Sequence, residues 1–189
     1  VHNLALAEKE GLPLVTPCMC CFGKLKRAQH ILRETPETLN DLSGELSAQG
    51  LIYKGDGQVI HLISLLMDAV GTKKMADVVE VPPTDGKDGL AVLHYGCHAL
   101  RPQEITNFDD SSSPTVFEEL VGAVGMEPLS WSHRLECCGR PLSIKNPALA
   151  DKLRAVKIES ARDAGAGRIV TACTHCQLHF AEGDPSEME

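Results

Sequence analysis

Eight cysteines carry the chemistry open to this chain: Cys18, Cys20, Cys21, Cys97, Cys137, Cys138, Cys173 and Cys176. They fall in tight clusters separated by long cysteine-free stretches, unlike the short, cysteine-dense pattern of a secreted disulfide scaffold. Thiolates are soft metal ligands and good nucleophiles, so the clusters point to metal or redox chemistry in a reducing compartment. Cys97, the adjacent pair Cys137-Cys138, and Cys173 with Cys176 form one candidate set. Five thiols are one more than a tetrahedral zinc or a cubane requires, which argues for an iron–sulfur assembly of unusual shape. Two other chemistries stay open. Cys173-x-x-Cys176-x-x-His179, with His175 between, has the spacing of a mixed zinc site. Cys173 and Cys176 alone would serve as a simple redox dithiol. Haem attachment is excluded, because neither Cys-x-x-Cys is followed directly by histidine. Cys20 reads as a small buried hydrophobe. His94 and His98 flank Cys97 closely enough to act as proton donors at a redox site. Arg101 just beyond would suit an anionic substrate group.

These residues need elements that carry them to one place. Apolar runs followed by cysteines mark the strands: Leu12–Thr16 before Cys18, Leu90–Tyr95 before Cys97, Pro128–Trp131 before Cys137, and 168–172 before Cys173. Helices are predicted from Lys24 to about Glu34, from Thr35-Pro36 to near Gly50, and over Gln58–Val70, where Val59, Leu62, Ile63, Leu66 and Val70 keep a helical period. Another starts at Ser113-Pro114. Asn146-Pro147 caps a long helix, with Leu149, Leu153 and Val156 on one face. Strands alternating with helices predict an α/β fold with mainly parallel sheets. The carboxyl ends of parallel strands converge on one crevice, which would gather the five sulfurs. One internal repeat stands out. Leu14-Val15-Thr16-Pro17-Cys18-x-x-Cys21 matches Ile169-Val170-Thr171-Ala172-Cys173-x-x-Cys176 in residue type. The chain therefore reads as two similar Rossmann-like units, the first incomplete. Residues 1–83 are the C-terminal part of the first unit with a helical extension, and 84–189 are the second. The break is placed at Pro82–Gly86.

Composition narrows the partners. Of 189 residues, 43% are hydrophobic and 23% charged, as expected of a folded chain. Eighteen Lys and Arg against 26 Asp and Glu give −8, which disfavours nucleic acid and anionic membrane surfaces. No apolar run approaches the roughly 20 residues of a membrane span, so no membrane insertion is expected. No secretory leader is seen, and the expected location is cytoplasmic. The sequence opens at Val1, so its N-terminus is read as processed, trimmed or a boundary within a longer chain.

The arrangement Cys97-x39-Cys137-Cys138-Gly139-x33-Cys173-x-x-Cys176, with His94-Tyr95-Gly96-Cys97-His98 and Arg101-Pro102, resembles the CCG (cysteine-rich) domain found in the B subunits of heterodisulfide reductases. The resemblance covers essentially the whole chain. It implies two tandem CCG motifs, each holding a non-cubane [4Fe–4S] cluster on five cysteines. By that carry-over the cluster ligands are Cys97, Cys137, Cys138, Cys173 and Cys176. Cys18 and Cys21 are what this chain retains of the first motif, and on that basis they are expected to be nearly dispensable. The resemblance also implies an oxidoreductase subunit of anaerobic metabolism that reduces a disulfide or oxidises two thiols. Its type substrate is the heterodisulfide of coenzymes M and B, and its partners in electron transfer are a flavin-containing and a ferredoxin-like iron–sulfur subunit. The competing expectation is a zinc-stabilised, non-catalytic α/β module of an electron-transfer complex. Thr174-His175 stands inside the final Cys-x-x-Cys, where family members often have proline.

Overall fold

The computed structural model describes residues 1–80 and 86–182. Residues 82–85 of the expected unit boundary lie outside that set. The fold is mixed α/β with two small parallel sheets, consistent with Rossmann-like units.

The first sheet pairs β1 (Leu14–Thr16) with β2 (Val59–His61) in parallel, Thr16 opposite His61. Two helices connect them, α2 (Met19–Glu34) and α3 (Pro36–Ala48), and α1 (His2–Lys9) precedes β1. The second sheet has the order β4-β3-β5, with β3 (Leu90–His94) central, β4 (Glu127–Leu129) and β5 (Arg168–Thr171). All its pairings are parallel, and His94 sits opposite Thr171. Short helices α6 (Cys97–Leu100) and α7 (Gln103–Thr106) follow β3, and α8 (Val116–Ala123) leads into β4. The long helix α9 (Pro147–Asp163) returns the chain to β5, and α10 (Thr174–Ala181) follows it. Between the sheets in sequence lie α4 (Leu62–Ala69) and α5 (Thr72–Asp77).

Ala91, Val92, Leu93 and His94 of β3 are all buried, as a central parallel strand covered on both faces requires. Trp131 closes one side of that sheet and donates its indole N–H to the Leu93 carbonyl at 3.0 Å. One core cluster runs from Leu4 and Met19 through Leu93 and Tyr95 to Cys176 and Phe180, so both sheets share a single interior.

Two expectations need correction. The predicted helix over 58–70 begins only at Leu62, because Val59–His61 are drawn into a parallel strand against β1. The pairing is tertiary and overrides the local helical period. His61 then caps α4, its Nδ1 accepting from the Ile63 amide at 3.2 Å. On α9 the buried face is Ala150, Lys157, Ile158 and Ala161, whereas Leu149 and Val156 of the expected face are 41% and 37% exposed.

Candidate functional site

Three of the four thiol clusters stand at the carboxyl end of a strand. After β3 the chain turns at Gly96, whose φ of 75° is left-handed, and Cys97 opens α6. Glycine takes this conformation without the strain of a Cβ. After β5, Cys173 is the N-cap of α10 with extended backbone, which puts Cys176 on the first helical turn. After β1, Cys18 caps α2 in the same conformation. The repeated sequence thus folds twice into the same strand–cysteine–helix corner. Cys137 and Cys138 come from the long connection between β4 and α9. Gly139 follows them at φ 95°, and a Cβ there would press the Ala150 carbonyl and the Leu153 side chain at 3.0 Å. Its absence lets the cysteine pair lie directly on α9.

The structure brings all five sulfurs of the candidate set together. Cys97, Cys137, Cys138, Cys173 and Cys176 line one cavity, close enough that each sulfur alters the acidity of its neighbours in the order Cys97, Cys137, Cys138, Cys176, Cys173. The Gly139 amide donates to Cys137 Sγ at 3.4 Å. Neighbouring thiols sort the charges. Cys137, receiving from Cys138 and Cys97, lies far below the ordinary thiol range. Cys173, receiving from Cys176 and then from backbone amides, is held down to about 5. Cys97 is pushed up by its bond to Cys137 and by burial, and Cys176 by its bonds to Cys138 and Cys173. The folded chain therefore already keeps thiolates at this place, the form that binds metal.

Cys18 is not set apart from the second motif. Its Sγ lies 3.9 Å from Cys173 Sγ, and the Thr174 hydroxyl donates to it at 3.1 Å. Burial raises this thiol, but the bonds from the Thr174 hydroxyl and from the Cys21 and Thr174 amides outweigh it and leave it below its usual range. Cys21 is exposed. Cys20, read from sequence as a buried hydrophobe, is half-buried instead, with its sulfur 3.7 Å from His98 Nδ1.

The thiols open onto a cavity of about 420 Å³ between the two cysteine corners. Its apolar walls include Met19, Pro141 and Ile144, and its ionisable rim consists of Lys24, Arg140, His98 and His175. Among the described residues no carboxylate lines it, in a chain where acids outnumber bases. Arg140 is also paired with Glu182. Arg101, expected near an anionic group, is exposed and lies outside this lining. Sequence reasoning passed over Lys24, Arg140 and Thr174, which no local pattern distinguishes from solvated polar residues.

The two flanking histidines are placed differently. His98 lines the cavity. His94 is fully buried, and neither ring nitrogen has a hydrogen-bond partner. Burial, aided by the charge of Lys157, holds it down to about 3, so it is a neutral imidazole at physiological pH. A ring nitrogen of His94 and the sulfurs of Cys138 and Cys176 lie within 4.8 Å of one another, a spacing that accommodates a metal ion. An orphaned buried nitrogen costs about 1–3 kcal/mol, and this one faces two cysteine sulfurs. That donor set fits a sulfur-ligated metal group. His179 is accounted for elsewhere, with Nε2 3.3 Å from the Ala150 carbonyl.

Comparison with known proteins agrees with this geometry. Residues 91–181 match the CCG cysteine-rich domain family. This part of the chain belongs to that family. The whole chain is similar to the B subunit of the ferredoxin/F420H2-dependent CoB–CoM heterodisulfide reductase of Methanosarcina acetivorans, 32% identical over 96% of the chain and 60% of that protein. It is also similar to the 8-methylmenaquinol:fumarate reductase membrane anchor subunit of Wolinella succinogenes, 33% identical over 95% of the chain and 61% of that protein. The chain therefore spans about 60% of the length of these relatives. A crystal structure of a hypothetical protein from Helicobacter pylori shares the fold at 12% identity, TM-score 0.56, over 99% of this chain and 39% of that one. Among the described residues no helix is long and apolar enough to cross a membrane.

Proposed function

We propose that this chain is part of an iron–sulfur oxidoreductase subunit, similar to the B subunit of heterodisulfide reductase, that reduces a small disulfide or oxidises the two thiols. The observation that carries the reading is the continuous set Cys97–Cys137–Cys138–Cys176–Cys173 at the edge of a cavity. Cys97, Cys137, Cys138, Cys173 and Cys176 would hold a non-cubane [4Fe–4S] group, with Cys18 and Cys21 belonging to a first motif. Residues 1–83 would be the end of the first CCG unit and 84–189 the second.

Reduction of R–S–S–R′ takes two electrons and two protons and yields RSH and R′SH. The bound group would supply one-electron chemistry and iron sites for sulfur. The chain's own residues do the rest. Buried Met19 gives the cavity an apolar wall, and His98 beside it delivers a proton to a departing thiolate. Lys24 and Arg140, the latter shared with Glu182, suit a substrate with anionic groups, in keeping with the heterodisulfide of coenzymes M and B as type substrate. Electrons would come from flavin-containing and ferredoxin-like iron–sulfur subunits, a reading supported by relatives that are themselves parts of reductases. A cytoplasmic location is part of the same proposal.

The test is iron and acid-labile sulfide analysis of the full-length protein reconstituted without oxygen. About four irons with matching sulfide at the second motif are expected, and fewer than about three refute the reading. One zinc without sulfide supports the second reading, a zinc-stabilised non-catalytic module, which the close grouping of His94, Cys138 and Cys176 favours.

A further inference from the structure

Lys157 is among the most buried side chains of the protein, at 1% exposure, on the buried face of α9. Its ammonium donates to the His133 carbonyl and sits 5.2 Å from the centre of the Trp131 ring. Both anchors are electrically neutral. Among the described residues no carboxylate forms an ion pair with it. The negative groups whose fields reach it are Glu136 and the cysteines Cys138, Cys137 and Cys176. Glu136 is 63% exposed and sits 3.8 Å from His133 Nε2, so water screens most of its charge. A buried ammonium is tolerated only where an opposite charge compensates it. The Cys137-Cys138 pair lies against this same helix, where Gly139 packs on Ala150 and Leu153 one turn before Lys157, so the groups left to compensate the ammonium are on the sulfur side.

Resting on the reading in which these cysteines hold a metal group, we propose that Lys157 is the buried countercation of the cysteine site, a positioning residue that offsets the charge of the thiolate-bound group and raises its reduction potential. Each thiolate ligand adds a negative charge, and reduction adds one more. A fixed cation in a poorly screened interior stabilises the reduced form more than the oxidised one. The carbonyl and the indole hold the ammonium in place, so it acts through its field and not as a ligand. Burial draws Lys157 down to about 8, and Glu136 and then the sulfurs of Cys138, Cys137 and Cys176 oppose that shift. The same field disfavours protonation of the neighbouring His94, so the site gains its positive charge from the lysine.

The experiment compares loaded wild-type protein with Lys157→Met, Lys157→Arg and the exposed control Lys152→Met on the same helix. At equal metal content, the midpoint potential is expected to fall in Lys157→Met and to stay near wild type in Lys157→Arg and Lys152→Met. An unchanged potential in Lys157→Met overturns the proposal. If Lys157→Met takes up no metal, recovery of loading in Lys157→Arg supports the countercation and failure of both overturns it. Should the wild type hold zinc, the variants are ranked by zinc affinity against a chelator, with at least a tenfold loss expected in Lys157→Met and none in Lys157→Arg. The proposed function can thus fail on sulfide content while this inference is still decided.

Discussion

Gly23 is where a single methyl group would test how the first cysteine corner supports the second. It lies inside α2, where alanine is normally the better helix former by about 1 kcal/mol. A Cβ at Gly23, however, would stand 2.8 Å from the carbonyl carbon of His98 and 2.9 Å from its Cβ, and closer still to the carbonyl oxygen. Ordinary contact begins near 3.4 Å and the carbonyl oxygen is the nearest atom, so the backbone of α6 must retreat by more than about 1 Å. Overpacking against backbone costs about 1–3 kcal/mol, which exceeds the propensity gain. Gly23→Ala is therefore expected to destabilise the metal-free protein by about 1–2 kcal/mol in urea unfolding. The matched control is Gly44→Ala in α3, where a Cβ meets nothing within 4 Å, and it should stabilise by about 1 kcal/mol. Because α6 opens with Cys97, Gly23→Ala should also weaken metal uptake while Gly44→Ala leaves it intact. If the two variants move stability in the same direction, the close packing of α2 on α6 is not what fixes Cys97.

Two further outcomes are expected. His61 is held down to about 4 by burial, although nearby backbone carbonyls of Ala172 and Pro17 oppose the shift. The unfolded chain then binds more protons between about pH 4 and 6.5, and stability falls on acidification through that window by on the order of 3 kcal/mol. In urea titrations of the metal-free protein, His61→Phe should flatten this slope; an unchanged slope refutes the assignment. Mild oxidation of the metal-free protein should join Cys18 to Cys173, since their sulfurs are 3.9 Å apart and Cys173 is thiolate at neutral pH. Peptide mapping that finds only Cys173–Cys176 disulfide refutes it.

The cysteine corners were legible because their signals are local. An apolar run, a Cys-x-x-Cys and a helix-forming stretch suffice to place Cys18 and Cys173 at strand ends, and the repeat makes the two placements agree. What stayed hidden depends on contacts distant in sequence. Val59–His61 becomes a strand only because β1 offers a parallel edge, and a three-residue strand leaves little trace beside the helical period that follows. Lys157 was invisible for a sharper reason. Periodicity counts a lysine as polar, so the buried face of α9 was assigned to Leu149, Leu153 and Val156, whereas the protein buries Lys157 with Ala150, Ile158 and Ala161. Gly23 was readable in principle, since an isolated glycine inside a helix commonly marks a close approach.

The repeat does more than shape two corners. The helices α2 and α10 meet through their N-termini: the Met19 amide donates to the Ala172 carbonyl at 2.9 Å, crossing from one copy to the other. Each copy then serves the other's first cysteine. The Thr174 hydroxyl and amide bond to the Cys18 sulfur, and the Cys20 amide bonds to that of Cys173. Helix N-termini favour negative charge, so two of them facing each other lower the cost of holding both thiols ionised side by side. Neither corner alone achieves this, because each sulfur takes part of its donor set from the opposite copy. Duplicating one strand–cysteine–helix corner and joining the copies head to head is therefore sufficient to build an anion-stabilising centre for sulfur. It also explains why Cys18, 155 residues away in sequence, lies at van der Waals range of Cys173 and not on a separate surface.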